Sequence, residues 1–235
     1  MKRALLLYLM SAVAVLLNAA DYHDVARKAG KYFGEGEWAS AQALYELMLA
    51  ERPDSLDSYA HAIVASAMMA DTLRMTDLLE RSSEHRVGIY PLFERVRDIS
   101  FAIGHAPVYG SFLRLAAREM PWLSRPVDAA LLEYYLFRND GPMIVEYAGR
   151  MHRGLPQDTG YLVALGRGYM LCGDFDMAVK QWLAVLDIDA CDYTALLYLG
   201  NYYADTGCAD KAVEYLGRAY SVRPTPYVRE RISRF

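Results

Sequence analysis

The chain has 235 residues, 54% hydrophobic and 23% charged, which is enough apolar content to fill a core and excludes a disordered polyelectrolyte. Lys and Arg number 25 against 29 Asp and Glu, a net charge of −4, so the basic footprint of a nucleic-acid binder is missing. Gly 16, Pro 9 and Cys 3 exclude collagen-like and disulfide-scaffold compositions, and Tyr 19 stands out as unusually high.

Lys2-Arg3 opens the chain, the apolar run 4–17 follows, and Asn18-Ala19-Ala20 leads into Asp21. A basic tip, an apolar stretch and small residues before a polar start are the parts of a secretory signal peptide. Residues 1–20 are therefore expected to be removed, with cleavage after Ala20. The alternative is a retained anchor. As a helix, residues 4–20 would span about 25 Å, short of the roughly 30 Å of a hydrocarbon core, which favours cleavage. No later stretch is apolar for long enough to span a bilayer.

The first helix pair, within 22–55, carries Ala29, Tyr32, Gly36, Ala41, Tyr45 and Pro53. Residues 59–70, 72–82, 92–103 and 108–119 read as helices without that glycine and alanine pattern. Phe101, Tyr135 and Tyr169 then recur at one fixed interval, which is also the interval from Pro156 to Ala190. Tyr32 to Phe101 is one residue longer than two such intervals, so an extra residue is expected between them, in the loop 84–90. From residue 159 the repetition is strongest. Leu162, Leu165, Gly166, Tyr169, Gly173 and Ala178 fall, after one interval, on Leu196, Leu199, Gly200, Tyr203, Gly207 and Ala212.

Leu162, Leu165, Gly166 and Tyr169 share one helical face. Gly173-Asp174 ends that helix, because glycine takes the left-handed conformation without a Cβ clash. A second helix follows, with Ala178, Trp182 and Val185 inward. Glycine inside a helix costs about 1 kcal/mol in propensity, so Gly166 and Gly200 imply a close helix approach. Ala178 and Ala212 are the small residues expected opposite them. Residues 227–235 are expected to form a last short helix, with Val228, Ile232 and Phe235 inward and Arg229, Glu230 and Arg234 outside. A stack of repeats requires such a polar end.

Leu162-x2-Leu165-Gly166-x2-Tyr169 with Ala178-x3-Trp182, repeated as Leu196-x2-Leu199-Gly200-x2-Tyr203 with Ala212-x3-Leu216 and Pro224, resembles the tetratricopeptide repeat. The resemblance implies an all-α, right-handed superhelical solenoid of antiparallel helix pairs. It implies about six repeats, at 22–55, 56–90, 91–124, 125–158, 159–192 and 193–226, with a C-terminal capping helix over 227–235. It also implies a concave surface, lined by the first helix of each pair, that binds segments of other proteins.

Two polar series fall at one place in successive first helices. Arg27, His61 and Arg95 are separated by the repeat interval, and so are Glu133, Arg167 and Asn201. They either present a polar stripe to a bound segment or neutralise one another, Glu133 with Arg167, in a surface pair worth about 0–1 kcal/mol. The clamp that some members use for a C-terminal carboxylate needs Lys and Asn, where the first unit has Ala26 and Gly30.

Gly166-x-Gly168 lacks the third glycine and the preceding strand of a phosphate-cradling loop. The histidines His23, His61, His85, His105 and His152 show no metal-ligand spacing, and the acids lack the paired apolar setting of a general acid. Cys172 and Cys208 fall on one edge of the repeats and Cys191 on the other. A 172–208 disulfide needs Cα atoms within about 7 Å, against about 8–10 Å for stacked helices, so free thiols filling small apolar gaps are expected. Most tyrosines are assigned to packing between helices.

The expectation is a non-catalytic, exported scaffold of a bacterial cell envelope that uses no cofactor and no metal. It would bind a protein or peptide segment, no nucleic acid and, once the leader is cleaved, no membrane, as a monomer. The competing readings are an accessory subunit of an envelope enzyme that binds peptide or glycan, and a self-associating array joined through Cys191 or an exposed face.

Overall fold

A computed structural model describes residues 19–235, with side chains from Tyr22 onward. The expected leader, 1–20, lies outside the described residues except for Ala19 and Ala20. Thirteen α-helices, one 3-10 turn and no strand make up the described residues. In chain order these are α1 (Ala19–Gly34), α2 (Trp38–Glu51), α3 (Leu56–Met68), α4 (Thr72–Glu84), α5 (Ile89–Ala102) and α6 (Ala106–Glu119). The 3-10 turn Pro121–Leu123 leads into α7 (Ser124–Arg138), followed by α8 (Gly141–Gly154), α9 (Thr159–Leu171) and α10 (Phe175–Ile188). The last three are α11 (Tyr193–Asp205), α12 (Ala209–Val222) and α13 (Pro226–Ile232). The fold is all-α and made of helix pairs, as the repeat implies.

Six residues with positive φ stand between the two helices of successive pairs: Gly36, Ala70, Gly104, Asn139, Gly173 and Gly207. The next residue begins the second helix as its N-cap, and where it is Asp71, Asp140 or Asp174 its carboxylate accepts the backbone N–H of Arg74, Met143 or Met177. These turns follow one another at the repeat interval at every step but one, from Gly104 to Asn139, which is a residue longer. This corrects the placement of the extra residue, which is not in 84–90. It lies where Pro121 interrupts the helical pattern and the tighter 3-10 turn takes up one residue before α7. By the same register, Ser66 and Ser100, not Phe101, stand four residues before their turns, in the place held by Tyr169 and Tyr203. Both serines are fully buried and donate to carbonyls of their own helices, Ala62 at 2.8 Å and Val96 at 2.6 Å.

The chain divides into two compact units, 1–127 and 128–235, with the boundary inside α7. In the first, α1 packs on α2, α2 on α3, and α3 on α4, α5 and α6. Ile63, Leu78, Leu79, Leu92, Phe112 and Leu113 are fully buried there. Glu46, nearly buried on α2, forms a two-point ion pair with Arg74 of α4 and also accepts from Gln42 Nε2 at 2.7 Å. Tyr32, expected in the packed face, is 37% exposed, and its neighbour Phe33 is buried against Trp38 and Tyr45 instead.

In the second unit α9 packs on α8 and α10, α11 on α10 and α12, and α13 on α12. A Cβ built on Gly166 would lie 2.1 Å from Trp182 Nε1, and one on Gly200 would lie 2.7 Å from Leu216. The close approach is as expected, but the residues opposite are Trp182 and Leu216 and not Ala178 and Ala212. Those alanines are buried one helical turn earlier. Glycine is thus used to admit a large partner, not a small one. In α13, Val228 is fully buried with Leu196, Leu216 and Ala219, and Ile232 packs on that cluster, whereas Phe235 is exposed. Cys172, Cys191 and Cys208 are free, as expected, and all three are exposed, with Cys172 Sγ lying against Gly141.

Candidate functional site

Of the first polar series, the structure brings His61 and Arg95 together at Asp57. Arg95 Nε donates to Asp57 Oδ1 at 2.6 Å, and His61 Nδ1 donates to the Asp57 carbonyl at 2.8 Å. The imidazole stacks on Tyr45 at 4.8 Å and meets the edge of Phe33 at 5.0 Å. Burial in this aromatic setting depresses the His61 pKa, against the opposing pull of the Asp57 carbonyl and carboxylate. Burial, with the Asp57 charge, pushes the Tyr45 phenol up to about 12. Arg27 is exposed and pairs with Asp24 one turn earlier in its own helix.

The second series is held differently at each position. Glu133 is exposed. Arg167 does not pair with it. The Arg167 guanidinium turns to the end of α7, donating to the Leu136 carbonyl at 3.1 Å and to Asn139 Oδ1 at 2.5 Å. Asn201 Oδ1 accepts from the Tyr227 hydroxyl at 3.0 Å and from Arg231 Nε at 3.1 Å, both on α13. Arg231 also reaches Asp205 at 2.7 Å. Arg167 and Asn201 therefore tie first helices to their neighbours in the unit, and neither is a bare groove residue.

Beside Asn201 lies a cavity of about 320 Å³, lined by Met170, Phe175, Tyr198, Asn201, Tyr202, Asp205 and Thr206. Its residues come from the end of α9, the start of α10 and one face of α11, where Tyr198 and Tyr202 stand one turn apart. Tyr198 stacks on the fully buried Trp182 at 5.0 Å and is fixed from behind, and Phe175 and Tyr202 stack on each other at 6.0 Å. Phe175 is nonetheless 49% exposed. Sequence alone points to Asn201 here but assigns Tyr198 and Tyr202 to packing. The signal for them is the spacing of two tyrosines on α11 with Phe175 just after the turn. An apolar concavity with a few polar groups at its edge is the usual form of a binding site.

No group of three His, Cys, Asp or Glu side chains among the described residues is placed to hold a metal ion. No described helix is long and apolar enough to cross a membrane.

No protein-family model matches the chain, and no curated protein matches it by sequence. Solved structures do match. One, pilF of Pseudomonas aeruginosa, is 12% identical with a TM-score of 0.50, covering 91% of this chain and 96% of that one. Another, the hetero-tetramer Cut9–Hcn1 of the APC/C, is 10% identical with a TM-score of 0.50, covering 94% of this chain and 47% of that one. The C-terminal part of a TPR repeat-containing protein from Cytophaga hutchinsonii is 16% identical with a TM-score of 0.48, covering 83% of this chain and 78% of that one. At these identities the likeness concerns the fold alone, and that fold is tetratricopeptide-like.

Proposed function

We propose that this chain is a non-catalytic scaffold of a bacterial cell envelope that binds a segment of another protein along the first helices α9 and α11. The observation that carries the reading is the aromatic cavity beside Asn201. It is preformed, and its rings are held by stacking, so little ordering entropy opposes the docking of an extended or helical segment. Assembly with other proteins is also what the name of one neighbour, the Cut9–Hcn1 hetero-tetramer, describes for that protein. Within this reading Asn201 borders the bound segment and Arg167 positions α9, with Glu133 a further contact residue of the second unit, and Arg27, His61 and Arg95 are contact residues within the first unit. Export rests on Lys2-Arg3 and the apolar run 4–17.

Photo-crosslinking amino acids at positions 175 and 202 test the docking face, with position 183 on α10 as the control outside the cavity. A partner crosslinked at 175 and 202 and absent at 183 is the expected result. Crosslinking at 183 alone would move the contact to another face, and a product of twice the chain mass would favour self-association. Mass spectrometry of the envelope fraction tests export, with an N-terminus at Asp21 expected and one at Met1 supporting the anchor.

A further inference from the structure

Tyrosine rings in the second unit are repeatedly covered by cations of the chain itself. Arg150 lies 4.6 Å from the centroid of Tyr147, Lys211 4.8 Å from Tyr203, Arg223 4.4 Å from Tyr193, and Arg218 5.6 Å from Tyr215. Among the described residues the rings of the cavity, Phe175, Tyr198 and Tyr202, like those of Tyr161, Tyr169, Tyr220 and Tyr227, have no such cover from Lys or Arg. Aromatic faces carry negative potential and attract ammonium and guanidinium groups, most strongly where water is partly excluded.

One carboxylate lines the cavity. Asp205 is the charged residue lining the cavity, its side chain is 70% exposed, and Arg231 engages its Oδ1. Phe175 is bracketed in the chain by Asp174 and Asp176, both exposed. Asp174 spends one oxygen on the N–H of Met177, and Asp176 makes no ion pair among the described residues. Arg231 is the nearby cation, and Asp205 and Asn201 together hold it. Met170 adds an apolar, polarizable wall along which a methylene stem can lie.

We propose that the cavity is the seat of an arginine or lysine side chain from the partner segment. The stem would lie along Met170 and Phe175 while the cationic head meets the rings of Tyr198 and Tyr202 and the carboxylate of Asp205. An acidic anchor would be opposed by Asp205 in the lining and by Asp174 and Asp176 beside Phe175 in the chain, and a purely apolar one would leave Asp205 with Arg231 as its counter-charge. The net charge of −4 assists the encounter with a basic segment. This assignment rests on the proposed function and names the chemistry of the segment that docks.

The test is a binding titration of the full chain with five fluorescent peptides. They share one Gly/Ser host and differ at the central position, which is Arg, Lys, citrulline, Leu or Glu. The Arg and Lys peptides are expected to bind about ten-fold more tightly than the citrulline peptide, which has the shape of arginine without its charge. The Glu peptide is expected to bind most weakly. Phe175→Leu and Tyr202→Leu, each checked for an unchanged thermal melt, should reduce the Arg peptide to the level of the Leu peptide. Phe175 is half exposed, so its variant keeps a folded control even where Tyr202→Leu does not. Equal binding of the Arg, citrulline and Leu peptides would overturn the cation seat and leave the docking face standing. An Arg preference unchanged in both variants would overturn it by moving the cation elsewhere, and no binding by any peptide would overturn both readings.

Discussion

In the second unit, Gly166 and Gly200 stand seven residues before their turns and Trp182 and Leu216 fill the space they leave. In the first unit the same register holds Ala29, Ile63 and Arg97, and the places corresponding to Trp182 hold Tyr45, Leu79 and Leu113. The pair formed by α7 and α8 reverses the order, with Leu132 at the glycine place and Ala148 opposite. One backbone plan therefore accepts several matches of large and small side chains, and glycine is required only where the residue opposite is aimed at the helix itself. The polar contents differ in part. The first unit buries serine hydroxyls bonded to their own helices, and the second stacks Tyr135 on Tyr147 and Tyr203 on Tyr215. Both bury an acid paired with an arginine, Glu46 with Arg74 and Asp128 with Arg150, and both set an arginine over a tyrosine, Arg52 on Tyr22 and Arg150 on Tyr147.

The comparison is most directly broken at Gly166. Gly166→Leu places a branched side chain where even a Cβ would meet the indole at 2.1 Å, and Trp182 is fully buried with no room to withdraw. Urea unfolding should show a loss of about 3 kcal/mol or more. A loss below that of Ala29→Leu in the first unit would show that the two units do not differ in how closely their helices approach.

A smaller effect is expected at the ion pair of the first unit. Arg74→Met leaves the Glu46 carboxylate nearly buried with only Gln42 as partner, and should cost about 2 kcal/mol in the same measurement. Glu46→Gln with Arg74→Met should recover most of that loss, because the buried charge is then removed with its partner.

The turns sharpen the comparison at lower energy. Ala70 holds φ +57° where Gly173 holds φ +80°. Ala70→Gly should stabilise by about 0.5 kcal/mol, as relief of left-handed strain exceeds the added chain entropy, and Gly173→Ala should destabilise by about 1 kcal/mol. Thermal melts of the two variants check the opposite signs.

The smallest effect is the pH dependence of the first unit. Burial depresses the His61 pKa, so the folded chain keeps this ring neutral where an unfolded chain has already charged it. Its contribution is complete above the ordinary value of about 6.5 and is lost as pH falls from there through the depressed folded value. Tyr45 acts at the other end. With its pKa raised to about 12, its contribution is complete below about pH 10 and is lost as pH rises towards 12. Stability curves of His61→Gln and Tyr45→Phe should flatten the acid and alkaline limbs respectively.

Much of the helix pairing was legible because it is written in local chemistry. Gly173 and Gly207, with Asp174 after the first, announce a turn and a cap within two residues, and Leu162, Leu165 and Tyr169 announce a face. The extra residue was misplaced because Phe101 is aromatic like the tyrosines of the repeat, whereas Ser100, the residue in register, looks like nothing in particular until its hydroxyl is seen bonded to Val96. The polar series at the repeat interval were legible as a pattern, but the roles of their members were not. Arg167 meets Asn139, Asn201 meets Arg231, and His61 and Arg95 meet at Asp57, all through neighbouring helices.

By itself, then, the amino-acid order determined the helices, their turns, and the glycines at which a second helix must come close, because each depends on residues a few positions apart or on the repeat period. Only the tertiary structure decided that Trp182 and Leu216 fill the glycine gaps and that Arg167 and Asn201 are held by their neighbours. It alone gathered Met170, Phe175, Tyr198, Tyr202 and Asp205 around one cavity. The physical reason is that contacts across helices depend on rotation and depth of packing, where one turn of register exchanges an alanine for a tryptophan. Spacing along a single chain cannot specify that choice.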